Sequence, residues 1–346
     1  MNGQPARAFI CGVGGAALSA AEIAFLERAR PWGLILFSRN IETPEQTRAL
    51  VETFRAVVGR PRAPVFIDQE GGRVRRLRPP HWKAWPAAGS LAALFARDPL
   101  LALEAARLVT WAMGEELARL GINVDCLPVL DVPQPGSHEI IGDRAYGHEP
   151  RQVALLARAA LTGLNGAGVA GVIKHVPGHG RAAADSHEAL PVVEASAEAL
   201  AAVDFLPFAA LADVPMAMTA HVVYTAFDAE RPATLSPVVI GEVIRGRIGF
   251  SGLLMSDDLN MKALSGSLGA RAAAALNAGC DVVLHCSGDL AEMEEVAAAV
   301  PLLEGAAAER ARMVEAHLAA LPRRSWDDAR ADELRRLLLE TPATGV

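Results

Sequence analysis

Eight short apolar runs, most of them closing on Asp, His or Ser, alternate with longer segments of helical periodicity, and this alternation limits the fold more than any other feature. The runs are Ala8–Val13, Gly33–Ser38, Ala63–Asp68, Ile122–Asp131, Val169–His175, Val214–His221, Gly252–Asp257 and Cys280–His285. The spacing predicts helices over Ala20–Arg30, Pro44–Val58, Pro99–Leu120, Arg151–Ala167, Ala197–Ala212, Val238–Ile248, Gly266–Ala278 and Ala291–Ala320. Runs such as Val169–Ile173 are apolar throughout, as strands covered on both faces must be, so the sheet is expected to be parallel. An open sheet gathers ligand-binding loops only near its switch point, whereas a barrel brings every strand end to one mouth. Polar residues stand at most of the strand ends here: Asp68, Asp131, Lys174 with His175, His221, Asp257 and His285. The expected architecture is therefore a single-domain (β/α)₈ TIM barrel over about residues 8–320, with a C-terminal helical tail over 321–346 that includes Asp327–Glu340. The segment Gly71–Gly89, with three prolines and two tryptophans, reads as a rigid loop.

At 346 residues, 51% hydrophobic and 21% charged, the chain can bury a large core and is neither disordered nor collagen-like. A net charge of −7 gives no basic field for a phosphate backbone, so nucleic acid is not an expected partner. No run reaches the ~18 apolar residues of a membrane span. The start, Met1 to Arg7, leads into the first strand without the pattern of a signal peptide, and the chain is read as cytoplasmic. Cys11, Cys126, Cys280 and Cys286 lie in or beside apolar runs without a CxxC pair, which fits buried free thiols.

Three polar clusters could carry chemistry. Lys174-His175-Val176-Pro177-Gly178-His179-Gly180 is followed by Asp185-Ser186-His187. His175 and His179 have the i, i+4 spacing of metal ligands, but Pro177-Gly178 breaks the helix such a pair needs, and no metal is expected. Asp185 and His187, two apart, share a face of an extended chain, where a carboxylate can orient an imidazole as a general acid/base. In Ser256-Asp257-Asp258-Leu259 adjacent side chains point to opposite sides, so one aspartate is expected to face the mouth, where it could act as a nucleophile. In Asp68-Gln69-Glu70-Gly71-Gly72-Arg73, Asp68 can take two sugar hydroxyls while the glycines turn the chain and return Arg76 to the mouth. Arg144 is a further candidate donor. Gly12-Val13-Gly14-Gly15 lacks both the GxGxxG spacing and a Walker lysine, so no nucleotide cofactor is implied. His221 and His285 are balanced between mouth-lining and structural roles.

These clusters, with Gly142-Asp143-Arg144-Ala145-Tyr146-Gly147 and Pro232-Ala233-Thr234-Leu235-Ser236-Pro237, resemble in sequence and order the motifs of family 3 glycoside hydrolases, most closely their single-domain bacterial β-N-acetylhexosaminidases. The resemblance implies a TIM-barrel exo-enzyme that removes terminal β-linked N-acetylglucosamine with retention and uses no cofactor. It places the nucleophile at Asp257, the acid/base at His187 assisted by Asp185, and sugar contacts at Asp68, Arg76, Arg144, Lys174 and His175. Val176 stands where that family usually has Phe, and Arg181-Ala182-Ala183-Ala184 fills a variable stretch. The single-domain form is similar to the type that recycles peptidoglycan fragments, with an N-acetylglucosamine-anhydromuramyl peptide as the implied substrate. The same constellation leaves open a phosphorylase, a β-glucosidase and a non-catalytic glycan-binding barrel, and a metal-dependent barrel hydrolase is a further alternative.

Overall fold

A computed structural model describes residues 5–186 and 189–340. The strands are β1 (Arg7–Cys11), β2 (Pro31–Leu36), β3 (Val65–Ile67), β4 (Val124–Asp125), β5 in two pieces (Ala170–Gly171 and Ile173–Val176), β6 (Met216–Thr219), β7 (Leu253–Asp258) and β8 (Val282–His285). All neighbours pair in parallel, and the sheet runs from the first piece of β5 through β4, β3, β2, β1, β8, β7 and β6 to the second piece of β5. Both ends of the order are halves of one strand, and a further parallel bridge joins Val129 to Lys174, so the sheet closes on itself. The expected α/β barrel is the fold that forms. All four cysteines are buried free thiols.

The helices are α1 (Ala20–Ala29), α2 (Pro44–Val57), α3 (Ala88–Phe95), α4 (Pro99–Arg119), α5 (Pro150–Gly166), α6 (Ala197–Ala202), α7 (Phe205–Ala210), α8 (Leu268–Ala278), α9 (Leu290–Ala299), α10 (Gly305–Ala320) and α11 (Asp328–Glu340). Their starts follow from local chemistry. Ser19 and Glu22 form a reciprocal capping box on α1, and Thr43, Asp98 and Glu149 cap α2, α4 and α5 just ahead of a proline in the first turn.

Several expected boundaries are corrected. Ala197–Ala212 divides into α6 and α7, because Pro207 in the first turn of α7 has no N–H to continue a helix from α6. Ala291–Ala320 divides into α9 and α10 at Pro301, whose predecessor Val300 is extended with ψ 140°. Val239–Arg247 is helical as expected but wound as a π-helix. The fourth run, Ile122–Asp131, pairs as regular strand only over Val124–Asp125. The loop from Gly71 gives way to α3 at Ala88. A small outer sheet of Val192–Val193, Val223–Tyr224 and Asp228–Pro232 has no counterpart in the sequence reading, since two of its strands are two residues long.

Two apolar layers organise the barrel. Inside it, Ile10, Ile35, Phe66, Val124, Met216 and Met255 fill the centre, and Ala311 and Val314 of α10 close the end where the strands begin. Arg60 and Glu315 form an ion pair across this closed end, and Trp32 Nε1 donates to Glu315 Oε1 at 3.1 Å. The outer layer lies between strands and helices and includes Ala331, Leu334 and Leu338 of α11, so the tail helix is packed and not free. Helices α4 and α5 pack most closely where Thr110 Oγ1 donates to the Ala160 carbonyl at 2.8 Å, and a Cβ on Gly163 would stand 2.1 Å from Thr110 Oγ1 and 2.2 Å from the Arg107 carbonyl. Gly163→Ala should therefore cost about 1–3 kcal/mol by overpacking. The check is chemical denaturation, with Gly241→Ala as the control because nothing lies within 4 Å of its added Cβ.

Candidate active site

The open end of the barrel holds a cavity of about 280 Å³. Asp68, Arg76, Arg144, Lys174, His175 and Asp257, all expected from the sequence, line it, together with Glu70, His179, Ser186 and Asp258. Apolar contact comes from Ile35, Phe37, Met218, Met261 and Leu284.

The loop after β3 is built around Gln69. Its amide N–H donates to Asp125 Oδ1 at 3.0 Å, and its side-chain oxygen accepts from the backbone N–H groups of Arg76 and Leu77 at 2.9 and 3.0 Å. Gly71 adopts φ 88°, and a Cβ there would lie 2.1 Å from the Pro86 carbonyl, so only glycine fits this turn. The loop thereby returns Arg76, whose guanidinium lies 5.0 Å over the Phe37 ring and donates to Asp68 Oδ2 at 3.0 Å.

From Arg76 a chain of opposite charges crosses the mouth. Lys174 Nζ, almost wholly buried, bridges Asp68 Oδ1 at 2.9 Å and Glu70 Oε1 at 2.7 Å. Arg144 grips Glu70 with two parallel bonds of 2.8 and 2.9 Å. Burial alone would raise the carboxyl pKa values. The neighbouring cations outweigh it, holding Asp68 well below the ordinary range and Glu70 at about 2. Burial likewise works against a charged Lys174, and the two carboxylates hold its pKa above the usual lysine value. Arg144, expected as a donor to the ligand, lines the cavity and also holds Glu70.

At the end of β7 both Asp257 and Asp258 line the cavity, which corrects the expectation that only one can face the mouth. The strand pairing shifts register between Met255 and Asp258, so strict alternation does not hold there. Burial would raise the Asp257 carboxyl, but His175, His221 and the Asp258 N–H, which donates to Asp257 Oδ1 at 2.8 Å, bring it below the ordinary value. Asp258 is pushed up to about 6 by burial and by the charge of Asp257, even though Oδ1 accepts the N–H groups of Asn260 and Cys286.

His221 and His285 are not among the residues that line the cavity. His221 bridges the Asp258 carbonyl and Thr234 Oγ1, while His285 Nε2 lies 3.0 Å from Ser287 Oγ. His179 Nε2 lies 3.3 Å from Ser186 Oγ, and the Ala263 N–H donates to the Ser186 carbonyl at 3.2 Å. Ser186 is thus fixed at the cavity wall next to Asp185. His187, the expected acid/base, lies outside the described residues. Glu70, Asp131 and Asp258 are the functional candidates that the sequence reading left without roles. The signal for each was present: Glu70 stands two residues beyond Asp68, Asp131 closes its strand run, and Asp258 directly follows Asp257. Among the described residues no three His, Cys, Asp or Glu side chains gather as a metal set.

Residues 15–317 match the model of the glycosyl hydrolase family 3 N-terminal domain. The chain is 45% identical over 280 residues to a β-hexosaminidase of Alkalilimnicola ehrlichii, covering 80% of this chain and 79% of the relative. It is 38% identical over 327 residues to a β-hexosaminidase of Bordetella avium, covering 92% and 90%. The crystal structure of NagZ from Neisseria gonorrhoeae in complex with N-trifluoroacetyl-D-glucosamine superposes with a TM-score of 0.83 at 29% identity, covering 97% of each chain. A barrel whose mouth sets carboxylates among fixed charged hydrogen-bonding groups is a framework that suits a glycoside hydrolase. The chain belongs to glycosyl hydrolase family 3.

The charge chain makes two testable demands. Lys174→Met takes from Asp68 and Glu70 their shared cation and leaves each with its arginine alone; breaking a buried ion pair in this way costs up to about 3–5 kcal/mol. Denaturant titration should show that loss at neutral pH. Because the Glu70 pKa falls from an ordinary 4.5 unfolded to about 2 folded, its contribution is fully present above pH 4.5 and is lost as pH drops toward 2. The wild type should therefore lose stability with acid over that window, and Glu70→Gln should flatten the slope.

Proposed function

We propose that this glycoside hydrolase is a retaining exo-β-N-acetylglucosaminidase and that Asp257 is its nucleophile. The observation that carries the reading is a carboxylate kept ionised by its surroundings at the wall of a small cavity whose opposite side is a fixed array of charged hydrogen-bonding groups. A volume of about 280 Å³ lies near the low end of ligand pockets, ~300–1,000 Å³, and suits one terminal sugar ring better than a polymer. The hexosaminidase names of the relatives support the acetamido sugar, and the glucosamine derivative bound by the Neisseria protein supports the same subsite.

In the proposed double displacement Asp257 attacks the anomeric carbon while His187, oriented by Asp185, protonates the leaving oxygen. The neutral His187 then takes a proton from the water that releases the sugar, and configuration is retained. Asp68, Arg76, Arg144, Lys174 and His175 hold the sugar, Arg144 with the donors that its bonds to Glu70 leave over. The whole chain is read as one catalytic unit acting in the cytoplasm on muropeptides that end in N-acetylglucosamine, without a metal. No helix of the described chain is long and apolar enough to cross a membrane.

Asp257→Asn should abolish release of chromophore from aryl β-N-acetylglucosaminide; retained hydrolysis would reject the nucleophile. His187→Ala should lower the rate about 10²–10⁴-fold for substrates with basic leaving groups, the usual share of general acid catalysis. Activated aryl leaving groups should lose far less, so a leaving-group series tests the role directly. The acid limb of kcat/KM should fall below the ordinary aspartate range, because Asp257 must be ionised and its pKa is lowered. Sugar 1-phosphate formation with added phosphate would assign the same site to a phosphorylase.

A further inference from the structure

Asp131 follows β4, is fully buried, and is occupied by one partner segment. Its Oδ2 lies 2.7 Å from His175 Nδ1, and its Oδ1 accepts the backbone N–H groups of His175 and His179 at 3.2 and 2.6 Å. The carboxyl is held down at about 2, since the two histidines and these N–H groups outweigh the effect of burial. An ionised carboxylate can only accept, so the proton in the 2.7 Å bond belongs to Nδ1. The His175 ring lines the cavity, and among the described residues no hydrogen bond falls on its Nε2. The other titratable groups around the ring are His179, with centroids 5.8 Å apart and edge to face, and Asp257 and Lys174 on the cavity side.

We propose that Asp131 is a positioning residue for the reaction: it holds the His175 proton on Nδ1 and so presents Nε2 as a hydrogen-bond acceptor to a hydroxyl of the bound sugar. The wall opposite Asp257 otherwise carries Lys174, Arg76 and Arg144, all donors, beside carboxylates already engaged by them. A sugar hydroxyl that accepts from one of these cations still has its own proton to place, and when the ring carries one proton, on Nδ1, the Nε2 lone pair can take it. The inference rests on the cavity being the sugar site.

A purely structural Asp131 would do no more than tie β4 to the turn that carries His179. Asp131→Asn separates the two roles. The amide oxygen can still accept both backbone N–H groups, while the amide nitrogen, facing Nδ1, donates instead of accepting and drives the ring proton to Nε2. Nitrogen-15 spectra of the imidazoles in the full chain should then show His175 changed from the Nδ1–H to the Nε2–H tautomer, with the unfolding midpoint kept. On aryl β-N-acetylglucosaminide kcat/KM should fall about 10- to 100-fold, the scale on which partners that orient a ligating imidazole act. This is less than the ~10⁴ seen where a misplaced imidazole must itself move a proton.

Introduced into His175→Ala, the same change should cost nothing further, because its effect passes through that ring. An unchanged tautomer, or an equal loss in both backgrounds, would overturn the proposal. Wild-type protein that cleaves no aryl β-glycoside would overturn the functional reading together with it, whereas an active wild type with additive losses would remove the role of Asp131 alone.

Discussion

The mouth of this barrel depends on one run of alternating charge: Arg144, Glu70, Lys174, Asp68 and Arg76, each within 3.0 Å of the next. Neither kind of charge could stay ionised in this setting alone, since burial opposes the carboxylates and the lysine alike. Three consecutive strand ends contribute: the loop after β3, the turn after β4 and β5 itself. Their relative placement is therefore fixed by mutual charge as well as by packing. The ligand that suits such a surface is neutral and rich in hydroxyls, because the cations are already matched and what remains is directional hydrogen bonding. A sugar meets that description, whereas a phosphate or a free ammonium would have to displace an existing partner.

The two aspartates at the end of β7 show how position alone can separate like groups. Asp257 meets His175, His221 and a backbone N–H and stays anionic; Asp258, one residue on, is pushed up to about 6 by burial and by the charge of its neighbour. Pairs of titratable groups driven apart in this way mark where roles have been divided. The division here is between an ionised carboxylate at the cavity wall, the nucleophile of the proposed mechanism, and one whose Oδ1 is occupied in joining the ends of β7 and β8.

The architecture was legible in the sequence because apolar runs covered on both faces and polar strand ends are properties of residues in order, and Asp68, Lys174, His175 and Asp257 could be placed from them. What escaped lay in contacts between distant residues. The bond between Arg144 and Glu70 spans 74 positions, so nothing near Arg144 in the sequence names its partner. The exposure of both Asp257 and Asp258 came from a register shift that alternation cannot anticipate. The helix breaks at Pro207 and Pro301 were written in the sequence and could have been placed there, whereas the two-residue strands of the outer sheet carry no periodicity to detect.

Closure of the far end of the barrel by α10 leaves the cavity, among the described residues, no opening toward that end. With side chains filling the centre beneath it, a substrate has no route through, and the released sugar must leave by the path along which it came. Such a site cannot thread a polymer or slide from one residue to the next. Each turnover is a separate encounter, and the monosaccharide product competes with the next chain end for the same opening.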